Sequence, residues 1–67
     1  MTAAQFELLG PMAAEEILRG RFETLAEWGC PLGEALVIAT HVEVELGDAV
    51  TLLQRGCPAE LVLSILL

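Results

Sequence analysis

Three glycine-proline corners, Gly10-Pro11, Gly29-Cys30-Pro31 and Gly56-Cys57-Pro58, divide a chain of 67 residues. Glycine supplies the left-handed residue that closes a helix, and proline is tolerated at the first position of the next. Each corner therefore reads as a helix stop followed at once by a helix start. The segments between them carry helical rather than strand periodicity. Thr2 to Leu9 is expected to form a short first helix, because Thr2 and Gln5 are spaced as a capping box. Pro11 to Trp28 is the longest, with Glu15 and Glu16 near its positive end and an apolar stripe of Ile17, Leu18, Phe22 and Leu25. Gly20 costs it about 1 kcal/mol relative to Ala and marks a place for a bend.

Pro31 to about His41 reads as a helix with Ala35, Leu36, Ala39 and Val42 inward. The run His41-Val42-Glu43-Val44-Glu45-Leu46 alternates with period two, which predicts an extended connector, since a single strand in so short a chain has nothing to pair with. Leu46 to Arg55 resumes as a helix with Ala49, Val50 and Leu53 inward. Pro58 to Leu67 closes the chain with Leu61, Val62, Ile65 and Leu66 facing the others. The expected fold class is all-α, a small bundle of four to five short helices forming one domain over residues 1–67.

Size and charge restrict function. A chain this short buries only roughly 60% of the surface its unfolded form exposes, which excludes a multidomain enzyme. Ten acidic residues against Arg19, Arg21 and Arg55 leave a formal charge of −7. Nucleic acids and anionic membranes are bound through Lys and Arg, so neither is an expected partner, and a protein with a neutral or basic surface is. The absence of Lys, Asn and Tyr fits the coding bias of a GC-rich bacterial genome. Met1 to Leu9 lacks the basic-then-apolar order of a secretion signal, and the longest apolar runs, Ala35–Ala39 and Leu61–Leu67, fall short of the ~20 residues that span a bilayer. Two cysteines are too few for a secreted disulfide scaffold, so a cytoplasmic location is expected.

A weak internal repeat accompanies the corners. Laid without gaps, Thr24–Thr40 matches Thr51–Leu67 at seven of 17 positions, including Gly29/Gly56, Cys30/Cys57, Pro31/Pro58 and Ile38/Ile65. Either duplication or the shared demands of a helix-corner-helix unit explains it. The spacing Leu25-Ala26-Glu27-Trp28-Gly29-Cys30, then Ala35-Leu36, then Ala49-Val50 and Leu52-Leu53 resembles the ubiquitin-associated (UBA) three-helix domain over about residues 17–55. That family runs Leu, two variable residues, Met-Gly-Phe, a helix with Ala-Leu, and a third helix with Ala and a late Leu-Leu. Trp-Gly-Cys stands here for Met-Gly-Phe, Glu45 for the usual Asn before the last helix, and the helix of residues 58–67 is additional. The resemblance implies binding of a small protein through Trp28, Gly29 and Cys30 together with Leu52 and Leu53.

Other residue types with chemistry are sparse. Trp28, the single tryptophan, is either an interface anchor or a wedge between two helices. Cys30 and Cys57 fall at expected helix N-caps, where backbone amides lower a thiol pKa, and Arg55 lies close to Cys57; the alternative is a pair of structural thiols. His41, Glu43, Glu45 and Asp48 form an acidic edge without the paired ligands that zinc requires, so no metal, cofactor or catalytic site is expected. The leading expectation is a non-enzymatic protein-interaction domain. It would form a homodimer through Leu61, Val62, Leu63, Ile65, Leu66 and Leu67, which surround the last helix and call for cover on more than one side. A thiol-based redox or regulatory protein using Cys57 and Cys30 is the first alternative. An acidic inhibitor of a basic protein is the second.

Overall fold

A computed structural model describes residues 1–67 as five helices and no strand: α1 (Ala3–Glu7), α2 (Pro11–Glu27), α3 (Leu32–Thr40), α4 (Leu46–Gln54) and α5 (Ala59–Leu66). α2 and α3 form the main helix pair, and α5 packs across α3 and α4. No helix is long and apolar enough to cross a membrane.

The corners explain the helix ends. Thr2 caps α1 through the expected box, its hydroxyl accepting from the Gln5 amide while the Gln5 side chain accepts from the Thr2 amide. At the second corner Gly29 has φ +82°; its amide donates to Ala26 and that of Cys30 to Leu25. The third corner repeats this with Gly56 at φ +84°, its amide on Leu53 and that of Cys57 on Leu52. This is the paired 6→1 and 5→2 bonding that satisfies the last carbonyls of a helix. The first corner is different. Gly10 has φ −67° and is the N-cap of α2, with Pro11 as its first residue. In the other two, proline lies one position earlier than expected, as the N-cap itself, and the helices begin at Leu32 and Ala59.

The core is small: Leu25 from α2, Cys30 from the corner, Ala35, Ile38 and Ala39 from α3, Ala49 from α4 and Val62 from α5. Two sequence expectations about facing are corrected. In α3 the inward residue is Ile38, 1% exposed, while Leu36 is 58% exposed; in α5 Val62 is fully buried, whereas Leu61 and Ile65 lie outward. Both helices are apolar almost all round, so periodicity alone fixes no face, and their neighbours decide. α2 runs unbroken through Gly20.

Residues 41–45 form a compact turn rather than an extended connector, the Val44 amide donating to the His41 carbonyl at 3.0 Å. The alternation survives in burial, with Val42 and Val44 inside and Glu43 and Glu45 outside. What holds this turn is a residue that periodicity does not single out. Arg21 of α2 donates from Nε to the Ala39 carbonyl at 3.0 Å, and from Nη2 to those of His41 and Val44 at 2.9 Å and Ile38 at 3.3 Å. One guanidinium thus closes the end of α3, where unpaired carbonyls gather and a cation is favoured, and ties α2 to the turn before α4.

Candidate protein-interaction surface

The residues the UBA resemblance singles out do not gather into one exposed patch. Trp28, at 49% exposure, and Gly29 face outward at the α2–α3 corner. Cys30 is buried in the core, and Leu52 and Leu53 are half-buried against the same cluster.

Neither cysteine is a helix N-cap. Each follows the left-handed glycine, spends its amide on the preceding helix and leaves the cap to proline. Burial pushes the Cys30 thiol above its ordinary pKa, and Glu34 adds to the shift. Both effects work against a reactive thiolate. Cys57 is half-buried, its thiol directed at the Pro58 carbonyl 3.5 Å away, and both thiols are free.

Two members of the acidic edge have local partners. The His41 ring Nδ1 lies 2.8 Å from the Val37 carbonyl, and Glu45 takes the amine of Met1 at 3.3 Å. No group of three or more His, Cys, Asp and Glu side chains is gathered that could hold a metal ion.

Exposed hydrophobic side chains are the dominant surface feature. Nine residues are buried, all of them apolar, while ten large apolar side chains are exposed. On α5, Leu61 and Ile65 are 47% and 57% exposed, Leu63 and Leu66 are half-buried, and Val62 belongs to the core; Leu67, just past the helix, is 67% exposed. An interface on this helix is therefore built from its flanks and does not include Val62. Glu60 is the only charged side chain on α5. No protein-family model, curated protein or solved structure matches the chain.

The repeat adds meaning to the exposure of Ile65. Both units have the same left-handed glycine, the same pair of closing hydrogen bonds and proline at the next N-cap. Ile38 of the first unit is buried and borders, with Ala59 and Leu63, the contact between α3 and α5. Its counterpart Ile65 occupies the same place in the second unit, and it is open.

Proposed function

We propose that this chain is a non-enzymatic protein-interaction domain that self-associates through the outer face of α5. The observation that carries the reading is the contrast between Ile38 and Ile65: the same position in the same local structure is covered in one unit and bare in the other. A helix from a second copy, laid on Leu61 and Ile65, supplies the missing cover. Two copies related by a two-fold axis present the same stripe to each other, the commonest arrangement for small homo-oligomers. The −7 charge resists approach, but on α5 only Glu60 contributes, and that repulsion is screened within about 10 Å at 0.1 M salt. We further take residues 17–55 as a UBA-like core and α5 as its addition; a second protein partner of neutral or basic surface fits the same apolar character.

Sedimentation over a concentration range reaching about 100 μM, which spans ordinary dimer dissociation constants, tests the proposal. The wild-type chain is expected to grow in mass with concentration. Leu61→Glu with Ile65→Glu is expected to stay monomeric with unchanged helical circular dichroism, because both side chains already face outward. A wild-type monomer throughout the range would falsify the self-association.

A further inference from the structure

A second apolar surface lies on the far side of α3 from that contact. Leu36 of α3, Leu18 and Phe22 of α2 and Phe6 of α1 line an open groove of about 560 Å³, with Pro11 and Ala14 at one end. Leu36 is 58% exposed, and Leu32, one turn earlier on the same stripe, is 65% exposed. The groove is shallow, nearer to an open surface than to an enclosed cavity. It suits several side chains of a helix laid lengthwise rather than one small molecule.

The rim determines which helix. Glu15 and Arg19 border the groove and pair with each other at 2.7 Å, so that cation is already neutralised. An adjoining hollow shares this pair and adds Glu16 and Met12, and Glu7 follows Phe6 on α1. The groove and this hollow together carry Glu15 and Glu16 against Arg19, and the other arginine of α2, Arg21, is spent on backbone carbonyls. Glu15 and Arg19 cancel, so Glu16 is the one carboxylate left in excess at this rim, with no uncommitted cation beside it. A second copy of this chain brings further negative charge to that rim and is disfavoured. A cationic amphipathic helix meets both requirements, with apolar residues at i, i+3, i+4 and i+7 for the floor and Lys or Arg beside them for the carboxylates.

We infer that the α1–α2–α3 groove is a docking site for a basic amphipathic helix of a partner protein, separate from the α5 face. Leucine at those four spacings with lysine elsewhere makes a suitable synthetic probe; a leucine-glutamate counterpart and a scrambled lysine peptide serve as controls. Backbone amide NMR of the full chain is the readout. The leucine-lysine peptide is expected to shift the resonances of Phe6, Leu18, Phe22 and Leu36, with binding that weakens as salt rises. Leu36→Gln, on an exposed helical position, is expected to weaken binding about tenfold, and Glu16→Gln to flatten the salt dependence. The inference is overturned by any of four results: equal binding of the leucine-glutamate peptide, shifts centred on Leu61 and Ile65, no shift at about millimolar peptide, or concentration-dependent shifts at Phe22 and Leu36 with no peptide present.

Discussion

Arg21 carries the most consequential side-chain interaction in the molecule. Burial pulls its pKa below the usual arginine value while Glu45 and Glu43 oppose the shift, and the group stays cationic throughout the working pH range. Arg21→Met keeps the stem but strands the Ala39 and Val44 carbonyls, and is expected to cost about 2–3 kcal/mol in urea unfolding; Arg21→Lys, a point charge without the fork, should cost about half of that. Its role is illegible in sequence because its acceptors are backbone carbonyls 17 to 23 positions away. No residue pattern marks them. Cys30 gives a pH prediction of defined sign. Its folded pKa is raised, so the folded chain holds the proton more tightly than the unfolded one. Stability is therefore level below the ordinary thiol pKa and falls as pH climbs from there to the raised value. Urea midpoints measured up the alkaline range should decline for the wild type, and Cys30→Ala should reduce the decline.

At the scale of the element, glycine has opposite signs in different places. Gly29 and Gly56 are left-handed, and a Cβ at either meets nothing within 4 Å, so Gly→Ala there costs only the backbone penalty, about 1–2 kcal/mol, and nearly equally at the two corners. Gly20, inside α2 and equally uncrowded, should gain about 0.5–1 kcal/mol on the same change. Thermal unfolding of the three variants checks both signs, and a Gly29→Ala protein as stable as the parent would remove the corner from the account. All five helices were legible to within a residue or two because most of their ends are set locally, by a capping box, by left-handed glycines and by prolines; the end of α3, held by Arg21 from α2, is the exception. The faces were less so. In Ala35-Leu36-Val37-Ile38-Ala39 every position is apolar, so the choice of Ile38 over Leu36 is made by the helices packed on α3, namely α2 and the distant α5. The N-cap assignment of the cysteines failed for a local reason: the glycine-centred closure uses the amide of the next residue as well, which shifts the following cap to proline.

The whole molecule joins a minimal core to a large uncovered apolar surface, and for so short a chain the two are linked. A small bundle cannot enclose every large side chain it carries, and stability gained by association depends on concentration. If α5 pairs with a second copy, the unfolding midpoint of the wild type should rise with protein concentration, and that of Leu61→Glu with Ile65→Glu should not. α1 stands apart from this economy. It is five residues long and buries none of them, yet it supplies Phe6 to the groove. A helix of that length has little stability of its own, so its amides should exchange with solvent far faster than those of α2 and α3. The groove accordingly has one stiff wall and one compliant wall. An incoming helix can push α1 aside without disturbing Leu25 or Ile38, and its bulk along that edge is set by what α1 will yield to rather than by a fixed mould.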